Sequence, residues 1–175
     1  MAQMNNETFD TAKFSDLIDA NSEYVQTFKY SELTGSAARG LAIVTCMDSR
    51  INPLSVVGMR SGDAKILRNA GARVTEDVLR TLVLATYLLN VDRILVMPHT
   101  DCRMAQSEES NIHELIDSKF GVDTRSLEFR VTKDQESALK TDITRVRAYP
   151  LIRKGVSVAG AIYDVKTGKI DFKNF

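Results

Sequence analysis

The 175-residue chain has no net charge, no tryptophan, only two cysteines and only two histidines. Its 23 Lys plus Arg balance its 23 Asp plus Glu, which excludes the global basic field of a nucleic-acid binder and the acidic excess that would attract cationic partners. No apolar run approaches the roughly 18 residues that a membrane span needs. The opening stretch MAQMNNETFDTAKF lacks the basic start and apolar middle of a signal peptide. A cytoplasmic setting is therefore expected, with neither membrane nor nucleic acid as partner. In that reducing compartment two cysteines are not expected to form a structural disulfide, which leaves buried thiols, metal ligands or redox chemistry. There is no internal repeat and no low-complexity tract, and the length and 43% hydrophobic content fit one soluble domain with a core of its own.

What is present is an alternation of two kinds of segment. LAIVTCM (41–47), AKILRNA (64–70), RILVMPH (93–99) and VSVAGAIYDV (156–165) are short apolar runs without polar alternation, the pattern of strands covered on both faces. The first three read as parallel strands. TEDVLRTLVLATYLL (75–89) carries Val78, Leu79, Leu82 and Val83 at helical spacing behind a Thr75 cap, with Glu76 and Asp77 in the first turn, and so predicts a crossover helix. SRINPLSVVGM (49–59) supplies a shorter one. Two further helices are predicted over 108–120 and 133–149 with a turn at Gly121, an amphipathic helix near the N-terminus, and a hairpin turned at Thr167 and Gly168. The predicted fold is α/β: a mainly parallel central sheet of four to five strands flanked by helices, in a single domain. Residues 1–40 form a helical arm and loop ahead of an α/β body over 41–175.

On that frame the polar residues fall in one place. Cys46 closes the first strand, Arg68 and Asn69 the second, and His99 the third, with Cys102 three residues further on. In open α/β sheets ligands bind beyond the carboxyl ends of the strands, so these distant motifs should meet in one crevice. Two thiolates and an imidazole suit zinc, and three protein ligands with one open position make a catalytic arrangement. Asp48 is placed to take the fourth position or to accept a hydrogen bond from water there. Either cysteine alone would read as a small buried hydrophobe; the two beside His99 outweigh that reading. Asp48 and Arg50 have a plainer alternative as a local ion pair capping the next helix. Arg68 and Asn69 have one in satisfying loop backbone groups, and Gly71 allows a tight turn. His113, in NIHELI, reads as a solvated side chain on a surface helix.

The ordered set Cys-x-Asp-x-Arg (Cys46, Asp48, Arg50), Arg-Asn-Ala-Gly (Arg68 to Gly71) and His-x-x-Cys (His99, Cys102) resembles the β-class carbonic anhydrases, most of all their short bacterial-type members. The resemblance runs from about Leu41 to Cys102, and GAIYDVKTGKI is similar to the family's last strands. It implies one Zn2+ per chain held by Cys46, His99 and Cys102, with water or, in a closed state, Asp48 as fourth ligand. It implies that residues 41–175 are a zinc-binding catalytic domain, with Asp48 and Arg50 as the catalytic pair. The implied reaction is the reversible hydration of carbon dioxide to bicarbonate by a zinc-bound hydroxide, without an organic cofactor. The implied assembly is a homodimer or dimer of dimers in which the N-terminal helix reaches across the partner. Two departures stand out: Arg103 occupies a position where the family usually has glycine, and without tryptophan the inhibitory bicarbonate pocket that some members build with one is not implied. Two other functions fit the same residues. One is hydrolysis of a related heterocumulene, carbon disulfide or carbonyl sulfide; the other is a catalytically silent protein binding zinc and bicarbonate.

Overall fold

The structure, a computed structural model, describes residues 10–175; the first nine residues of the expected arm lie outside the described residues. The chain divides into two compact units between Leu33 and Thr34. In the first, a 3-10 turn over Thr11–Phe14 leads into α1, Ser15–Gln26. Beyond the helix Phe28 stacks edge-to-face on Tyr24 and Tyr30, at 5.7 and 5.8 Å between ring centroids. The amphipathic helix expected there is present but buries none of its residues.

The second unit runs β1 (Leu41–Cys46), α2 (Pro53–Val56), β2 (Ala64–Asn69), α3 (Glu76–Leu88), β3 (Arg93–Met97), α4 (Arg103–Gln106), α5 (Glu109–Phe120), α6 (Gln135–Ala148), β4 (Ser157–Tyr163) and β5 (Ile170–Lys173). The sheet order is β2-β1-β3-β4-β5; the first four strands are parallel, and β5 returns antiparallel to β4 through the Gly168 turn. Local chemistry sets the helix limits. The Thr75 hydroxyl accepts from the Val78 amide to cap α3, Asp134 caps α6 through the amides of Glu136 and Ser137, and Gly121 ends α5 in the left-handed region at φ 66°. α2 starts on Pro53 behind an Asn52 cap.

Among the strands of the described residues, β1 alone is buried along its whole length. It lies between β2 and β3, so both its edges are paired and both its faces covered. Ala42 and Val44 face α3 and α6, meeting Leu79, Leu82, Leu139 and Ile143. Leu41 and Ile43 face the opposite way, with Leu95 and Met97 of β3 beside them. Fully burying each such Leu or Ile contributes about 1.5–3 kcal/mol, so the loops beyond the strand ends stand on a rigid floor. β2 and β4 are half-exposed over much of their length, although their apolar runs predicted cover on both faces; β2 is an edge strand. α4 is not among the sequence expectations, because four residues are too few to display a helical repeat. Among the described residues no helix is long and apolar enough to cross a membrane.

Candidate metal centre

The carboxyl ends of β1 and β3 bring together Cys46, His99 and Cys102, all buried, with their ligating atoms within 4.8 Å of one another. Cys46 is the last residue of β1. His99 lies two residues past β3, in a parallel bridge to Tyr163 at the end of β4. The turn that follows is pinned from two sides. The Thr100 amide donates to the Tyr163 carbonyl at 2.8 Å, and Gln135 of α6 donates to the His99 carbonyl at 2.7 Å. The chain then turns at Asp101, with φ 56°, and delivers Cys102 opposite Cys46.

The donor atoms are arranged as a metal ion would require. His99 Nδ1 lies 2.8 Å from the Thr100 carbonyl; a carbonyl only accepts, so Nδ1 carries the proton and Nε2 presents its lone pair. That Nε2 is fully buried without a hydrogen-bond partner. The two sulfurs are 4.0 Å apart, close to the roughly 3.8 Å that tetrahedral zinc with bonds near 2.3 Å imposes. The two thiols act on each other in opposite directions. Cys46 is held well below the ordinary thiol range, first by its hydrogen bond with Cys102 and further by the neighbouring His99 and the amides of Gly71 and Asp48, against the opposing effect of burial. Cys102, through the same hydrogen bond with Cys46 and through its own burial, is pushed up. Two facing sulfurs, one of them with a lowered pKa, and an imidazole nitrogen without a hydrogen-bond partner form a group that can hold a metal ion.

Beside this cluster Asp48 and Arg50 form a two-bond ion pair, Nε to Oδ1 at 2.9 Å and Nη2 to Oδ2 at 2.7 Å. Asp48 Oδ2 lies 3.7 Å from His99 Nε2. Arg50, first among several causes, holds the Asp48 carboxyl well below the usual carboxylate range. The pair does not cap α2, a task that Asn52 performs. The remaining guanidinium donors reach Asp101: Nη1 to Oδ2 at 2.8 Å and Nη2 to the carbonyl at 3.1 Å. Asp101 is the residue that sequence reasoning missed. Its partner is 51 positions away, and the only local sign is its place between His99 and Cys102.

The other expected residues take supporting places. Arg68 donates to the carbonyls of Cys46, Ile51 and Asp48, so it satisfies the loop backbone, as the plainer alternative had it. Asn69 bonds the amide and carbonyl of Arg73. Gly71, at φ 78°, lies where a Cβ would come 3.3 Å from Met104 Cβ, so glycine suits both the turn and the close approach. His113 is not the solvated side chain expected: it is half-buried, 2.8 Å from Thr124 Oγ1 and against the Phe129 ring, because residues 121–132 fold back over α5. Arg103 lies with Asp48 on the wall of a cavity of about 480 Å³ beside the cluster, whose remaining lining is mostly apolar, including Met47, Met104, Ile112 and Phe129.

An open, mainly parallel α/β sheet carries, beyond its strand ends, a Cys-His-Cys group that could hold a metal ion and an Asp-Arg pair beside it. The sequence profile of the carbonic anhydrase family matches residues 41–170. β-Carbonic anhydrase 1 of Mycobacterium tuberculosis is 32% identical over 162 residues, covering 89% of this chain and 94% of that protein. The crystal structure of a carbonic anhydrase from Streptococcus mutans superposes with a TM-score of 0.86 at 36% identity, covering 95% of this chain and 99% of the other. A carbon disulfide hydrolase of Saccharolobus solfataricus is 31% identical over 156 residues, covering 75% of this chain and 76% of that protein. The chain belongs to the β-carbonic anhydrase family.

Proposed function

We propose that the protein is a zinc-dependent carbonate dehydratase that hydrates carbon dioxide to bicarbonate reversibly, with residues 41–175 as its catalytic domain. The observation that carries this is the buried, unpartnered Nε2 of His99 facing two sulfurs spaced for one tetrahedral ion. Cys46, His99 and Cys102 would hold one Zn2+ per chain, a donor set that favours zinc over magnesium or calcium. When bound, zinc supplies a water acidified toward neutrality as the nucleophile. Asp48 Oδ2 would accept the hydrogen of the attacking oxygen and so aim its lone pair at the substrate carbon. Arg50 keeps Asp48 ionised and oriented. The apolar cavity admits a neutral linear substrate and limits bulk water, while Arg103 on its wall meets the anionic product. A cytoplasmic location would keep both thiols reduced. Stopped-flow hydration of carbon dioxide across pH, on protein of measured zinc content, tests the reading; zinc-loaded protein with no hydration above the buffer rate rejects it.

The apolar lining also favours a second reading, in which the same site hydrolyses carbon disulfide or carbonyl sulfide, the former being the substrate named for the hydrolase of Saccharolobus solfataricus. Sulfide release from carbon disulfide, measured beside carbon dioxide hydration, ranks the two.

A homodimer, or a dimer of dimers, belongs to this proposal. Leu17, Ile18, Val25 and Phe28 of the arm are 46–64% exposed, an apolar surface that a second copy would cover. Light scattering should report a dimer or a multiple of it, and a stable, fully active monomer at assay concentration would contradict this.

A further inference from the structure

We propose that Asp101 is a positioning residue that, acting through Arg50, keeps Asp48 off the fourth metal position; the inference rests on the zinc reading above. Arg50 is about half exposed, and a long arginine paired only with a carboxylate two residues away would follow that carboxylate wherever it turned. The structure gives it a second anchor. The rigid guanidinium plane offers Asp48 its Nε and Nη2 edge and grips both the carboxylate and the carbonyl of Asp101 with its other donors. Asp101 is itself held. It sits between His99 and Cys102, its other carboxylate oxygen accepts from Gln106 Nε2 at 2.8 Å, and the preceding residue is tied to Tyr163. Asp48 is therefore fastened, through Arg50, to the same turn that carries two of the three candidate ligands. To reach the metal it would have to leave an arginine that cannot follow. The left-handed φ of Asp101 suits Asp and Asn above other non-glycine residues, so Asp101→Asn removes the charge while leaving the turn its backbone tolerance.

Azide binding to the cobalt-substituted protein, read from its visible spectrum, reports how far the fourth position is open to an outside anion. Asp101→Asn should keep one metal per chain and bind azide about tenfold more weakly. Loss of a nearby negative charge would by itself act the other way and favour the anion, so the direction of change separates positioning from simple electrostatics. In an Arg50→Ala background, adding Asp101→Asn should cause no further loss, since Asp101 acts only through Arg50. Independently of any metal, solvent exchange of the Arg50 Nε–H, followed by NMR, should be faster in Asp101→Asn than in wild type. Wild-type azide affinity in Asp101→Asn, or additive losses in the double variant, overturns the proposal even if the protein hydrates carbon dioxide. Unchanged Nε–H exchange overturns it whether or not metal binds. Protein that takes up no cobalt counts against the zinc reading, and the exchange measurement then decides this one.

Discussion

Replacing Cys102 by serine should strip the protein of most of its zinc, from about one ion per chain in wild type to a small fraction of that. Cys102 is buried, its sulfur lies 4.0 Å from that of Cys46, and its exchange for a hydroxyl removes a soft donor while barely changing shape. The remaining thiolate and imidazole make a two-ligand site. Cys46→Ser should act alike, since it removes the other soft donor, whose thiol is held below the ordinary range. The hydrogen bond with Cys46 and its own burial push the Cys102 thiol up, so binding of zinc there would have to release a proton. Uptake should therefore weaken as pH falls, in wild type as well. Metal analysis with circular dichroism on the three proteins makes the comparison. Zinc absent from wild type, or unchanged in both variants, means that these cysteines are not the ligands.

Arg50→Ala should keep its zinc and lose at least about tenfold in carbon dioxide turnover, the scale of a lost charge-assisted hydrogen bond. The sign of the pH dependence follows from Asp48. Arg50 lowers its pKa, so the ion pair is complete above the ordinary carboxylate range and is lost only as pH falls through the depressed folded value in strong acid. From mildly acidic to alkaline pH the charge of Asp48 does not change. A rise of wild-type turnover through about pH 8, the region expected for zinc-activated water with thiolate co-ligands, then reports on the nucleophile rather than on Asp48. In Arg50→Ala the released carboxylate competes for the metal, and that competition is strongest at low pH, where hydroxide is scarce. The deficit should accordingly be larger below neutrality than above it. Zinc content paired with rate for both proteins across that range tests the prediction; a variant with wild-type zinc and wild-type turnover throughout would leave Arg50 without a part in the reaction.

Features that depend on sequence-local chemistry are legible in the amino-acid sequence. The Thr75 cap, the Gly121 stop and the turn at Gly168 act within a few residues of themselves. The grouping of Cys46, His99 and Cys102 was also legible, because three strand-like runs each end in a polar residue and parallel strands place their carboxyl ends at one edge. What escaped notice depends on long-range partners. Asp101 meets Arg50 across 51 positions, and nothing periodic marks it. His113 lost its solvent to Phe129 and Thr124, which belong to a stretch with no regular structure to predict. The apolar run of β2 overstated its burial because a run of side chains does not tell an edge strand from an interior one.

The neighbouring strands β1 and β3 are joined in sequence only by way of α2, β2 and α3, and Cys46 stands 56 positions from Cys102. Bringing them together means closing a long loop and ordering both crossovers, and that entropy is lost before any contact at the cluster can compensate for it. Unlike a short zinc finger, whose ligands are near enough in sequence for the ion to organise the chain, this site exists only once the sheet has formed. An ion held here would bind the folded chain and not its folding nucleus. It would slow unfolding while leaving the rate of folding nearly unchanged, acting as a lock on a finished structure.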